Sequence, residues 1–355
     1  GSGDETSASG ELTPVKLQLQ WLTQAQFSGY YAALDQGYYE EEGGLDVEIL
    51  PSGGDIVPQD ALANGEVDYA VAWVPKVLGS IEQGADITNV AQIFERSATL
   101  QVSFADAGID AVADLEGKKI GSWGLRQRVG AVRGPEQGGR HRLRDRPAGV
   151  RHERVPGGRH RRGAGHDLQR VRPAPRDREP GDRRALPARG LQRHRLERRG
   201  TAMLQDAIWA DAGRLADDAE YAETTVAFLK ATLKGWMYAR DNPQEAADIV
   251  TAAGSTLGTS HQLWMTNEVN KLIWPSTSGG IGIIDEAAWD ATVEMAKQTS
   301  NETGATIITA DPPDTAYTNE YVQQALDELT AEGEDVEGAD FAPPIEVTLN
   351  PPGGN

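Results

Sequence analysis

The chain has 355 residues, no cysteine, 34 Lys and Arg against 54 Asp and Glu, and a formal net charge of −20. That length allows a large core in one or two domains, and the absence of Cys excludes disulfide scaffolds and thiol chemistry. No apolar run approaches the roughly 20 residues of a membrane span.

Residues 1–12 read as a flexible Gly/Ser/Thr tether with no secretory signal. A polar leader ahead of a globular body suits an exported chain held by an N-terminal lipid anchor. "VKLQLQW" (15–21) alternates apolar and polar residues and predicts a strand. In "FSGYYAALDQGYY" (27–39), Phe27, Tyr30, Tyr31 and Leu34 recur at helical spacing, and Gly37 marks the stop. "LDVEILP" (45–51) predicts a second strand, "SGGD" (52–55) a turn, and "IVPQDALANGE" (56–66) a short helix. "VDYAVAW" (67–73) is nearly continuous in apolar residues, as a strand covered on both faces should be. A helix over 75–83, strands over 88–94 and 100–105, a helix over 112–118 and a strand over 119–124 follow. This alternation predicts a parallel α/β sheet. Beyond residue 200, "TAMLQDAIWA" opens as a strand. Helices are then expected over 220–240, 243–253, 258–273 and 285–298, before an acidic, Pro-rich tail at 336–355.

Residues 125–200 break the pattern. They hold 23 Arg and 8 acidic residues, a net +15, while the rest of the chain carries −35. Their alphabet is confined to Leu, Arg, Gln, Val, Gly, Ala, Pro, Glu, His and Asp, with no Ser, Thr, Asn, Lys, Ile, Met, Phe, Tyr or Trp. Those ten types are the ones with codons beginning in C or G. In a GC-rich gene the third codon position is nearly always G or C, and a one-base shift makes it the first. The block therefore reads as a frameshifted translation, with the frame recovered at Thr201. Reversing the shift lets Leu125–Val129 decode as Phe-Gly-Asn-Glu-Trp and Val150–Glu153 as Phe-Asp-Met-Asn, which is ordinary globular sequence. A disordered basic tail and a nucleic-acid patch are the competing readings. An evolved basic arm would mix Lys with Arg and include Ser and Thr, so no nucleic-acid partner is expected.

Residues 21–73, "WLTQAQFSGYYAALDQGYYEEEGGLDVEILPSGGDIVPQDALANGEVDYAVAW", present a specific order of features. A strand ends in Trp; then come a helix with "GYY.AL..GYY", the motif "GG.D" and the motif "G..D.A". This resembles the substrate-binding proteins of ABC importers in the NMT1/THI5-like (SsuA/THI5-like) family, which takes thiamine-pyrimidine or riboflavin precursors. "GTAMLQDAIW", "FLKATLKGWMYARDNPQEA" and "NEVNKLIWPS" look like the same family, so the resemblance covers about 15–124 and 201–330. It implies an α/β, periplasmic-binding-protein-like (type II) fold of two lobes with a ligand cleft between them, closing by hinge motion. Lobe one would hold 13–105 plus 208–335. Lobe two would hold 106–207 and, as translated, is expected to fold poorly or not at all. The implied partners are a small-molecule solute and an ABC transporter permease, with no cofactor. The chain would be a monomer, extracytoplasmic and peripheral to the membrane.

Candidate ligand contacts follow from strand ends, where open α/β sheets place ligands. Trp21 and Trp73 end two strands, and an indole there can stack on a flat heterocycle while offering an N–H. Ser122 and Trp123 occupy the equivalent position in lobe two. The plain alternative is core packing. Gln24, Gln26 and Phe27 form the loop and helix start after Trp21, and amides there can donate to and accept from a ring edge; the alternative is a solvated turn. Tyr30 is expected to face the cleft and Tyr31 the core. In Ser52, Gly53, Gly54 and Asp55 the glycines allow close backbone approach with free N–H groups, and capping of the next helix is the preferred single role for Asp55. Asp206 is read as a contact to a ligand amine or as part of the hinge. With no Cys and no second His outside the block beside His261, no metal site is expected.

The leading functional expectation is a non-catalytic receptor that holds a heteroaromatic nutrient between rings, with amides fixing its orientation. A sulfonate, taurine or nitrate receptor of the same fold would need a cleft Arg, Lys or ring of N–H donors, and no cleft Arg is evident outside the block. A pyrimidine synthase, the enzymatic relative, uses a Cys-rich motif that this chain lacks.

Overall fold

The structure is a computed structural model that describes residues 11–121, 191–195, 202–300, 304–342, 347 and 349, with 191–195 described for their backbone. Ser122 and Trp123 lie outside the described residues. The strands are β1 (Thr13–Gln18), β2 (Leu45–Leu50), β3 (Tyr69–Trp73), β4 (Ile87–Gln92), β5 (Leu100–Phe104), β6 (Leu191–Arg195) and β7 (Asp206–Asp211). The helices are α1 (Ser28–Asp35), α2 (Tyr38–Gly43), α3 (Pro58–Ala63), α4 (Val74–Glu82), α5 (Ala212–Asp217), α6 (Ala219–Asp241), α7 (Pro243–Ala252), α8 (Thr259–Ile273), α9 (Glu286–Gln298) and α10 (Glu320–Ala331).

The expected α/β class is present: five strands form one sheet in the order β2-β1-β3-β7-β4. β1 runs parallel to β2 and β3, whereas β7 is antiparallel to both β3 and β4. The sheet is therefore mixed, not parallel as the alternation of elements predicts. The reason is topological. A helical crossover returns the chain to the far edge and gives a parallel strand. Here the chain leaves beyond the carboxyl end of β4 and re-enters at that same edge, so β7 must run the other way.

β3 shows why the sheet needs cover on both sides. Tyr69 and Val71 point into a core built with α1, α6, α8 and α10, while Ala70 and Ala72 point into a second core with α3, α4 and α9. This is the two-residue period of an extended strand acting on two apolar layers. On the first face α1 and α6 touch at glycines. A Cβ on Gly235 would stand 2.1 Å from the Gly29 carbonyl oxygen, and one on Gly29 would stand 2.1 Å from the Trp236 ring.

β5 and β6 form a separate two-stranded antiparallel ladder, pairing Leu100 with Arg195 through Phe104 with Leu191. A strand thus forms within the arginine-rich block, because an edge strand pairs through backbone N–H and C=O groups whatever the side chains. Backbone pairing supplies no core. Leu100, Val102 and Phe104 remain 40%, 47% and 58% exposed, and Val112 and Ile120 are likewise open. The expected helix over 112–118 is a single 3-10 turn, Val112–Leu115, and no strand forms over 119–121.

Candidate functional site

β1 and β3 end at one edge of the sheet, and β7 begins there: the register sets Trp73 opposite Asp206, and Gln92 of β4 opposite Ala207. The antiparallel return of β7 is what brings Asp206 to this edge.

Asp206 is 2% exposed, and donors surround it. Gln20 Nε2 donates to its Oδ1 at 2.7 Å, Gln26 Nε2 to its Oδ2 at 2.8 Å, and the Trp73 indole N–H also donates to it. Gln24 Nε2 donates in turn to Gln26 Oε1 at 2.7 Å. Lys76, in the first turn of α4, holds its ammonium 4.8 Å from the centre of the Trp73 ring. Desolvation lowers the Lys76 pKa, with the Asp206 charge acting the other way. Burial pushes the Asp206 carboxyl up from 3.8 to about 6, against the hydrogen bonds from Gln26, Trp73 and Gln20 and the Lys76 charge.

The sign of that shift makes a prediction. Between about pH 4 and pH 6 the folded protein binds the Asp206 proton more tightly than the unfolded chain does. Stability is therefore expected to fall as pH rises through that window, by on the order of 2–3 kcal/mol for this group, and to level off above it. Denaturation midpoints measured from pH 4 to pH 8 for the native chain and for Asp206→Asn check this. Their difference should grow with pH and then plateau; a constant difference would contradict a buried, proton-binding Asp206.

Trp21 sits beyond the end of β1 and is half-buried, packed against the first core. The loop after β2 clasps it: the Ser52 N–H donates to the Trp21 carbonyl at 3.0 Å. Gly54 has φ 90°, and a Cβ there would stand 3.1 Å from the Trp21 ring, so glycine suits both the turn and the close approach. The sequence suggests free N–H groups in this loop, but those of its two glycines are taken. Gly53 N–H donates to Asp55 Oδ1 at 3.2 Å and Gly54 N–H to Ser52 Oγ at 3.1 Å. Nor does Asp55 cap a helix: α3 starts at Pro58 with Val57 at its N-cap and no side-chain cap. Asp55 bonds backwards because Ile56 and Val57 still separate it from the first helical turn.

Two further expectations are corrected. Tyr30 is 1% exposed, with its ring edge-on to Trp236 at 5.5 Å, and Phe27 is fully buried beside it. Neither presents its ring at the edge, because α1 is enclosed between the sheet and α6. Tyr31 is buried as expected and bonds Thr23 Oγ1 through its hydroxyl at 2.9 Å.

The structure thus brings Trp21, Gln24, Gln26, Trp73 and Asp206 to one sheet edge, with the Ser52–Asp55 loop behind Trp21. Sequence reading misses four contributors. Gln20 falls on the polar phase of "LQLQW". Lys76 lies one helical step beyond Trp73. Gln92 donates to the carbonyls of Phe94, Gln205 and Asp206 at 3.1–3.4 Å. Gln262, fully buried at the start of α8, accepts from the Ala25 N–H at 2.6 Å and so anchors the turn that carries Gln24 and Gln26. Among the described residues no cluster of His, Asp or Glu is arranged to hold a metal ion.

The family model described as NMT1/THI5 like matches residues 24–132. The chain is 28% identical over 114 residues to a formylaminopyrimidine-binding protein of Halalkalibacterium halodurans, covering 32% of this chain and 34% of that one. It is 24% identical over 107 residues to a protein of Haemophilus influenzae named for thiamine biosynthesis, covering 30% and 34%. The match thus spans about a third of the length of these curated relatives. Among solved structures, the periplasmic sulfonate-binding protein SsuA of Methylobacillus flagellatus aligns over 95% of this chain and 98% of its own, at 13% identity and TM-score 0.49. The aliphatic sulphonate-binding SsuA of Escherichia coli aligns over 98% of both chains at 13% identity and TM-score 0.42. The stretch that this family model matches, residues 24–132, takes in the Gln24–Gln26 turn, the Ser52–Asp55 loop and Trp73.

Proposed function

We propose that this chain is the extracytoplasmic solute-binding component of an ABC importer and captures a small heteroaromatic nutrient, a thiamine-pyrimidine precursor or a flavin-like ring. It acts as a monomer, tethered through its N-terminal segment, and hands its ligand to a permease without chemical change. What supports this most is the sheet edge itself: two indoles, Trp21 just beyond the end of β1 and Trp73 as the last residue of β3, stand at the edge that holds a buried carboxylate bonded by amides. Flat rings stack on indoles, and amides read a ring edge. The formylaminopyrimidine-binding relative points the same way. The buried Asp206 carboxylate disfavours a sulfonate or nitrate, which would meet like charge in a low dielectric, and the Lys76 ammonium at the same edge already has that carboxylate as its opposite charge.

In this reading residues 106–207 are the second lobe, with 125–200 read in the neighbouring frame; its proposed contacts, Ser122 and Trp123, lie outside the described residues. Two observations support this: the family match stops at residue 132, just inside the block, and β5 turns an uncovered apolar face outward. A thermal-shift panel on the chain and on its frame-restored form tests the reading. Formylaminopyrimidine or riboflavin is expected to raise the melting temperature, and taurine and nitrate to leave it unchanged. Stabilisation by taurine or nitrate alone would contradict the heteroaromatic assignment.

A further inference from the structure

Resting on that receptor reading, we infer that Asp206 is a positioning residue: it turns the side-chain amides at the sheet edge so that they present oxygens to the ligand, and the site selects molecules that carry N–H donors. The inference follows from hydrogen-bond direction. An ionised carboxylate has no proton to give, so each amide bonded to it must present nitrogen. Gln20 and Gln26 do so, through Nε2 to Oδ1 and Oδ2 at 2.7 and 2.8 Å. Gln26 is left with its Oε1, which can only accept, and Gln24 must then turn its own Nε2 inward, as it does at 2.7 Å. An amide is planar, with oxygen and nitrogen on opposite sides. The order imposed at Asp206 therefore emerges as Gln20 Oε1 and Gln24 Oε1, on two half-buried side chains, with no hydrogen-bond partner among the described residues.

Asp206 does not reach the ligand itself. It is almost fully buried, and its oxygens are taken by Gln20, Gln26 and the Trp73 indole. The groups facing it are uniform in sense. The loop after β1 contributes Gln20, the turn before α1 contributes Gln26, β3 contributes Trp73, and α4 contributes the Lys76 charge; Tyr30 of α1 also feels its charge. The three hydrogen-bonding partners all donate, so removing the negative charge releases the constraint on the amides at once. A protonated Asp206, or Asn in its place, has its own donor. One Gln amide must then rotate to offer its oxygen inward, which turns an N–H toward the ligand.

The test combines side-chain NMR with a ligand panel on the full chain. The Nε2 protons of Gln20 and Gln26 are expected to shift together with the Asp206 carboxyl carbon, with one shared midpoint, and Asp206→Asn should abolish that titration. 4-Amino-2-methylpyrimidine, which carries an exocyclic N–H donor, is expected to bind the native chain about tenfold tighter than it binds Asp206→Asn, the worth of one hydrogen bond. The same preference should decline in the native chain as Asp206 is protonated, a pH profile that a purely structural role would not produce. Gln amides that stay fixed while Asp206 titrates would overturn the inference, as would pyrimidine binding that Asp206→Asn and pH leave unchanged. If the native chain binds no pyrimidine yet the amides follow Asp206, the receptor reading fails while the orienting role of Asp206 stands.

Discussion

A chain with residues 125–200 in the neighbouring reading frame is expected to lose most of its binding of a hydrophobic dye such as ANS and to melt at higher temperature. The dye reports the face formed by Leu100, Val102 and Phe104, which alternate outward along β5 at 40%, 47% and 58% exposure. One-sided alternation of this kind marks a strand meant to pack on something, and three large apolar side chains together exceed the scattered exposure of ordinary surfaces. Each is about half open, so closing a core over them contributes about 1 kcal/mol apiece, or roughly 3 kcal/mol with Val112 and Ile120 left aside. The shifted frame permits the aromatic residues that such a core requires, as in the Phe and Trp that Leu125–Val129 can decode to, whereas the present block contains no Phe, Tyr or Trp. Unchanged dye binding after the frame is restored would mean that this face has no partner in residues 125–200.

Gly235→Ala is expected to destabilise the chain by roughly 3 kcal/mol or more, at the upper end for overpacking a core. The added methyl would lie 2.1 Å from the Gly29 carbonyl oxygen and 2.7 Å from the Ala33 backbone nitrogen. Both obstacles are backbone, so no rotamer change relieves them; α1 and α6 must separate. That separation unseats Trp236, whose ring contacts Tyr30 and Phe94 edge-on at 5.5 and 6.1 Å. It also disturbs the turn that bears Gln24 and Gln26, because α1 follows directly from it. Gly254→Ala is the control: its φ of 106° is strained for alanine, but no atom lies near the new methyl, so its cost stays close to the backbone term of 1–2 kcal/mol. Urea denaturation of both variants measures the difference, and equal losses would show that the α1–α6 contact tolerates widening.

Local pattern was enough where a segment's environment is set by its own periodicity. β1 and β2 alternate as strands with one well-buried face should, β3 runs apolar under cover on both faces, and α6, α7, α8 and α9 fall within a residue or two of their expected bounds. α10 is absent from the expected elements, which end at 298 before the tail at 336–355, although Val322, Ala325, Leu326 and Leu329 repeat at helical spacing and are all buried. The site was legible only in part. Trp21 and Trp73 could be placed because strand ends follow from strands. The direction of β7 could not, since it depends on where a distant segment re-enters the sheet, and with it went the bonding of Asp206 to Gln20, 186 residues earlier. Tyr30 was misplaced because one helix turn cannot show that α6 will close over it. The Ser52–Asp55 loop satisfies the N–H groups of its two glycines through Oγ and Oδ1 contacts two residues away, a detail below the resolution of composition.

The central claim is that Trp21 and Trp73 flank one ligand at the edge where Asp206 orders the amides. Fluorine NMR of the frame-restored protein labelled with 5-fluorotryptophan tests it directly, with signals assigned through Trp21→Phe and Trp73→Phe. On saturation with formylaminopyrimidine the signals of Trp21 and Trp73 should move, and those of the buried Trp209, Trp236, Trp274 and Trp289 should stay. Saturation that shifts the buried indoles and leaves positions 21 and 73 unmoved would place the ligand elsewhere and contradict the account.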